Sequence, residues 1–398
     1  MKYVKNPIMF KTIPFIVAFL LSVYTSVSAS ETKPAELHTG SFSIHLLSAV
    51  HKSFNLENAA ADASLKKAIE LEPDNPMAYA LEAMLNLFEY EMCFSLEQRQ
   101  KAKDEIFYYS EQAHLWGEKR IGRFPKDAQA QLAMALAKIA RIYWALKEKR
   151  YLVMARETLN VWNYLEAARA ADSNNHDIDF LMGLLHYHID HYAGLAGLLS
   201  SVFITEGNRQ KGLDELQTAA QRGFLLRDIA QIELASVYLT YEKQPAKALP
   251  IILELRKKFP GNYNFTFTNC VALLELRRFT EAEAIAAQIE KNISSATPPY
   301  VSQLQPRYFQ LMGRIHFNRE QYGKAESYFH QAIQDSAFYN IRTKARSLLY
   351  IGMIHDVRQE RKYAEDYYRR VLKVEGADGA AQIEARKYLK EPYRVNRN

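Results

Sequence analysis

Two cysteines, Cys93 and Cys270, are all that this chain of 398 residues carries, which excludes a disulfide framework. Each stands in an apolar run, LFEYEMCF and FTFTNCVALL, where a cysteine packs as a small buried hydrophobe. Glycine is scarce as well, at 15 residues, which suits a nearly all-α chain. GxSxG, Walker-type, GxGxxG and CxxC elements are all missing. Paired carboxylates such as Glu281/Glu283 and Glu365/Asp366 fall on polar helix faces, where solvated charge is the default. With no titratable groups gathered into one pocket, no catalytic residue and no cofactor are expected.

Charge of one sign is also in short supply. The whole chain carries +6, and Lys2, Lys5 and Lys11 lie in the leader, which leaves about +3 for the rest. A nucleic-acid partner would need a concentrated basic stripe, so none is expected. The basic end of the chain (Arg386, Lys387, Lys390, Arg394, Arg397) reads as solvated terminal charge.

The leader itself is recognisable. After the three lysines, IPFIVAFLLSV gives an apolar run from Ile13 to Val23, and Val27-Ser28-Ala29 supplies the small residues of a cleavage site. The run is short of the ~20 residues that a spanning helix needs. Residues 1–29 are therefore expected to be a secretory signal peptide cut after Ala29, and a periplasm is the expected destination.

What the chain has in quantity is helical periodicity. Apolar residues return every three or four positions through QAQLAMALAKIARIYWAL, AQIELASVYLTY and ARSLLYIGMIHDV. Pro73, Pro76, Pro125, Pro260 and Pro306 punctuate such segments. A longer period overlies the helical one. Gly313 precedes Ala325 by twelve residues, and Gly352 precedes Ala364 by the same twelve, the two units lying 39 apart. Ala248, Ile252 and Leu255 match Ala282, Ala286 and Ile289 at a spacing of 34.

This pattern resembles the tetratricopeptide repeat, a helix–turn–helix unit of about 34 residues. The resemblance implies an all-α, right-handed superhelical solenoid of stacked hairpins. Small residues at Gly313, Gly352, Ala325 and Ala364 would let the two helices of a hairpin approach, and Phe329 and Tyr368 would fill the space between hairpins. Six or seven hairpins are expected, with divergent ones over 30–227 and better-marked ones over 228–398. A shorter segment, Gly207-Asn208-Arg209 with Gly212-Leu213 and Leu216, resembles a divergent tetratricopeptide group that includes the eukaryotic inclusion-body-clearance family.

One stretch breaks the period. Gly183 and Gly212 hold the positions of the paired small residues but stand 29 apart, not twelve. About 17 residues, roughly 188–204, are therefore inserted between the two helices of one hairpin. The stretch begins with His186, His188, Asp190 and His191. At about 100° per residue, His186 and Asp190 share one face and His188 and His191 another. The four cannot converge on one ion while the segment stays helical, and zinc wants three or four ligands. His188 and His191 would be the ligands if a metal bound.

The apolar half, AGLAGLLSSVFI, is twelve residues and too short to cross a bilayer. Leu195, Leu198, Leu199 and Phe203 would either pack on neighbouring hairpins or meet a partner or a membrane surface. The expected role is a non-enzymatic, exported scaffold that binds a protein or extended peptide on its concave face. A peripheral membrane protein using residues 193–204 is the alternative.

Overall fold

A computed structural model describes residues 40–148, 150–191, 208–376 and 379–395. The described residues form α-helices, one π turn and two short 3-10 turns, with no strand among them. They divide into two compact units, one reaching Lys243 and including Lys257–Pro260, the other comprising Gln244–Arg256 and everything from Gly261. The leader and the segment 192–207 lie outside the described residues.

The first unit holds α1 (Ser41–Phe54), α2 (Asn58–Leu71), α3 (Pro76–Met92), α4 (Leu96–Arg123), α5 (Ala128–Lys147), α6 (Tyr151–Ala171), α7 (Asp177–His191), α8 (Arg209–Arg222) and α9 (Arg227–Ser236). A π turn, Val237–Tyr241, extends α9. Then come α10 (Pro245–Lys258), whose last two residues belong to the first unit, and, in the second unit, α11 (Tyr263–Glu275), α12 (Phe279–Ser294), α13 (Gln305–Asn318), α14 (Tyr322–Ala332), α15 (Ile341–Val357), α16 (Arg361–Lys373) and α17 (Gly379–Lys390). Seven hairpins lie wholly within one unit or the other: α1/α2, α3/α4, α5/α6, α7/α8, α11/α12, α13/α14 and α15/α16. The expected fold class, all-α stacked tetratricopeptide-like hairpins, is the one observed.

Polar side chains start the helices as the sequence suggests. Asn75 accepts from the Met77 amide at 3.0 Å with Pro76 in the first helical turn, and Asp127 accepts from the Ala130 amide at 2.9 Å. Each satisfies an amide that has no carbonyl partner inside the helix.

The repeat has a backbone register that the side chains conceal. Ala49, Ser236, Cys270, Gly313 and Gly352 are all small, and each is followed seven residues later by a residue at positive φ: Leu56, Lys243, Arg277, Glu320 and Gln359. These residues close the first helix of each pair with the left-handed turn that glycine usually takes. In the second unit the hydrogen bonds repeat as well. Arg278 N–H donates to Leu273, Gln321 to His316 and Glu360 to His355, at 2.8 to 2.9 Å. Cys270 thus occupies the glycine position of its hairpin, with its Sγ 3.1 Å from the Ala282 carbonyl.

The two marked glycines create slots that rings fill. A Cβ on Gly313 would lie 2.5 Å from the Phe329 ring, and one on Gly352 would lie 2.5 Å from the Tyr368 ring. Both rings therefore pack inside their own hairpin rather than only between hairpins, although Phe329 also stacks on Tyr350 of the next at 5.0 Å. The C-terminal tail departs from the expectation of free solvated charge. Its lysines are exposed, but Arg361 donates to the carbonyls of Tyr388 and Leu389, and the Tyr393 amide donates to Asp356 at 2.8 Å.

Within the first unit, distant parts of the chain meet. The Phe259 ring, fully buried, lies 5.8 Å from Phe54 and 5.2 Å from His51 of α1. Next to it, Lys258 pairs with Asp228 at 2.5 and 2.7 Å.

Candidate functional site

The hairpin α7/α8 contains the histidine cluster, and its geometry starts from two glycines. A Cβ on Gly183 would sit 2.9 Å from the Leu216 amide nitrogen, and one on Gly212 would sit 2.5 Å from that of Tyr187. The helices therefore cross backbone to backbone, closer than any side chain permits. The chain returns to α7 just before α8 begins: the Asn208 amide donates to the His186 carbonyl at 3.1 Å, and Asn208 Oδ1 accepts from the Lys211 amide. The paired-glycine reading of the 29-residue spacing is confirmed, and α7 continues through His191.

Three consecutive residues on α7 reach three different carboxylates. His186 Nδ1 is 2.6 Å from Glu215 of α8, with its ring edge-on to Trp162 at 5.2 Å. Tyr187 donates to Glu242 at 2.6 Å, and Arg209 holds the same carboxylate. Burial, then the neighbouring Glu242, pushes the Tyr187 hydroxyl far above its ordinary range. His188 Nε2 is 3.0 Å from Glu233 of α9, both side chains almost fully buried. The π turn after α9 brings Tyr241 within 6.0 Å of the His188 ring and carries the chain into Glu242. A one-residue widening of this kind re-aims side chains at the end of a helix.

These contacts tie three helices together and do not aim at a common point. Successive residues turn by about 100°, so His186 and His188 face different neighbours. Among the described residues no three His, Cys, Asp or Glu side chains stand where they could hold a metal. The His191 side chain, Leu195, Leu198, Leu199 and Phe203 lie outside what is described. Glu215, Glu233 and Glu242 escaped the sequence reading because each lies on another helix, with no spacing signal to its partner. Asp177 escaped it too. Its buried carboxylate accepts from the amides of Phe224, Leu225 and Leu226 at 2.8 to 2.9 Å and so fixes the start of α9.

A second region lies in the second and third hairpins, α3/α4 and α5/α6. The first helices there are covered on every side, with Pro76 to Phe88 of α3 and all but Arg141 between Ala130 and Leu146 of α5 buried. Exposed character moves to α4, the 28-residue helix. It carries Leu96, Phe107, Tyr108 and Leu115, with Phe124 just past its end, exposed by 42 to 68%. Along one stripe, Glu97, Gln100, Lys101, Asp104, Glu105, Tyr108 and Tyr109 line an open depression of about 690 Å³.

No protein-family model and no curated protein matches the sequence. Among solved structures, the chain is similar in fold to a human IFIT1 dimer with m7Gppp-AAAA, at a TM-score of 0.45 and 13% identity, over 89% of this chain and 81% of that one. It is similar also to a human IFIT1 dimer with PPP-AAAA, at a TM-score of 0.44 and 14% identity, over 89% and 82%.

These neighbours correct one expectation. Net charge excludes a nucleic-acid partner on the sequence alone, yet both neighbouring structures are of a protein with an oligonucleotide. The physical reason is that net charge sums over the whole chain while phosphate contacts are local.

Proposed function

We propose that this protein is a non-enzymatic binding scaffold, exported to a periplasm, that holds a protein or an extended peptide. The observation that carries the reading is the row of exposed Leu96, Phe107, Tyr108 and Leu115 on α4. A helix of low mean hydropathy has no folding reason to present four large apolar groups to water, and aromatic side chains beside polar ones are what a recognition surface offers. The histidine hairpin supports the same reading, since its titratable groups are engaged in holding helices together. On this reading the partner surface includes the second helix α4, whose face is open where the first helices α3 and α5 are covered.

The test is site-specific photo-crosslinking in native envelopes. Benzoylphenylalanine at position 108 is expected to give a discrete adduct that the same group at position 152, on exposed Leu152 of α6, does not. Identical adducts from both positions, or none from 108, would count against a partner on α4.

A further inference from the structure

Arg307 stands in the first turn of α13, a turn with no acidic residue. Its Nη1 donates to Oδ1 of Asn264 on α11, and its guanidinium lies 4.3 Å from the centre of the Phe267 ring, one turn further along α11. Asn264 is fully buried, so a fixed bond and a ring together hold the guanidinium in one orientation. What it lacks is a counter-charge. Burial pulls it down to about 10, opposed only by the nearby Tyr263 and Tyr300 hydroxyls and by no carboxylate among the described residues. A cation drawn out of water is normally matched by an acid. Arg314, seven residues on and on the same face, shows that ordinary solution, donating to Glu275 at 2.8 Å.

Two side chains here keep polar groups in reserve. Nε and Nη2 of Arg307 have no hydrogen-bond partner among the described residues, and neither is closed off from solvent. Gln310 lies one turn further along α13, between the two arginines, and is only 9% exposed. Its carboxamide also has no partner among the described residues and is not closed off. A polar side chain set so deep normally spends its amide on the protein. Nε and Nη2 form an edge of the guanidinium that takes a planar carboxylate through two parallel bonds. The positive end of the α13 dipole adds to the attraction for an anion.

We propose that this outward edge of Arg307, with Gln310 beside it, receives a carboxylate from an extended peptide segment of the partner. The proposal rests on the scaffold reading and adds a contact in the second unit to the one on α4. A single cation is unmatched here, which suits the single charge of a carboxylate; a phosphate monoester would leave half of its charge unanswered. The Gln310 carboxamide, both donor and acceptor, bonds the peptide backbone next to that carboxylate. Phe267 on one face of the guanidinium keeps the fork from turning away.

The test uses the full chain and a fluorescein-labelled peptide of alternating serine and glutamate, amidated at its C-terminus. A second peptide carries glutamine for glutamate, and a third is the glutamine peptide with a free C-terminus. Anisotropy at low salt, where screening is weak, is expected to show the glutamate peptide binding about tenfold tighter than the amidated glutamine one. If the third peptide binds as the glutamate one does, the proposal is supported with the chain end as the source. Arg307→Lys keeps the charge and loses the fork, and is expected to weaken the glutamate peptide by about fivefold. Gln310→Leu is expected to weaken it by about threefold, whereas Arg319→Lys, just past the end of α13, leaves it unchanged. Thermal melts check that the variants fold. Protection of wild-type Arg307 from phenylglyoxal by the glutamate peptide, read by mass spectrometry, tests the same contact without a variant. Equal binding of all three peptides, undiminished binding by Arg307→Lys, or absence of protection overturns the proposal and leaves the scaffold reading standing. Binding of no peptide overturns the proposal too, and the scaffold reading is then decided by the crosslinks from position 108. Hexa-adenylate RNA displacing the labelled peptide at lower concentration than unlabelled glutamate peptide does would overturn it in favour of a phosphodiester.

Discussion

Gly183 and Gly212 touch through their backbones: the Gly183 carbonyl oxygen lies 2.9 Å from where a Cβ on Gly212 would have to be. Because the atoms in the way are backbone, no rotamer change relieves the clash. Gly212→Ala and Gly183→Ala are each expected to destabilise the first unit by about 2–4 kcal/mol. Gly122→Ala, on α4 with nothing within 4 Å, is expected to stabilise by about 0.5–1 kcal/mol through helix propensity. Urea denaturation of the three variants checks both signs.

Asp177 makes a second test of hairpin joining. Removing its carboxylate strands the amides of Phe224, Leu225 and Leu226 in a buried place. Asp177→Ala is expected to cost on the order of 3 kcal/mol or more, and hydrogen exchange is expected to rise first at those three amides.

Glu82 predicts how stability follows pH. Its carboxyl titrates at about 8 in the folded chain against an ordinary 4.5, so the folded state keeps a proton that the unfolded state releases. Its contribution is intact below 4.5 and is lost as pH rises toward 8. Glu82→Gln, which cannot ionise, is therefore expected to gain stability over wild type across that window, by on the order of 4 kcal/mol at its upper end. Paired thermal melts at acid and mildly basic pH read the difference, and parallel curves would contradict it.

The two thiols should be inert. Burial pushes Cys270 up to about 12 and raises Cys93 as well, and both are free and buried. A thiolate is the reactive form, so neither is expected to react with Ellman's reagent in the native chain, and both are expected to react in concentrated guanidinium.

Much of the fold was legible because helical packing leaves a periodic trace. The twelve-residue step from Gly313 to Ala325 and from Gly352 to Ala364 sets the ring four residues further on, Phe329 or Tyr368, into the slot over each glycine, and Leu216 stands in the same relation to Gly183 across an insertion. The turns were not legible. Leu56, Arg277, Glu320 and Gln359 adopt a glycine-like backbone without being glycine, held there by the helices on either side. Cys270 stands in a glycine position that the turn at Arg277 and its distance to Ala282 reveal.

The site divides in the same way. The angular step of a helix foretold that His186 and His188 could not share an ion, but nothing foretold Glu215 and Glu233 as their partners. Asp62, Glu82 and Glu105 are separated along the chain by some twenty residues each. Taken singly, Asp62 and Glu105 look like ordinary solvated charge. Only the fold makes neighbours of them.

The seating of Phe259 on Phe54 and His51 has a consequence for how the protein is made. The first helix leaves the ribosome about two hundred residues before the ring that completes its packing. Until then Phe54 has Phe88 of α3 against it but not Phe259, and a contact of such long reach closes late and slowly. A nascent chain paused before residue 259 would present that uncovered face of Phe54 to chaperones.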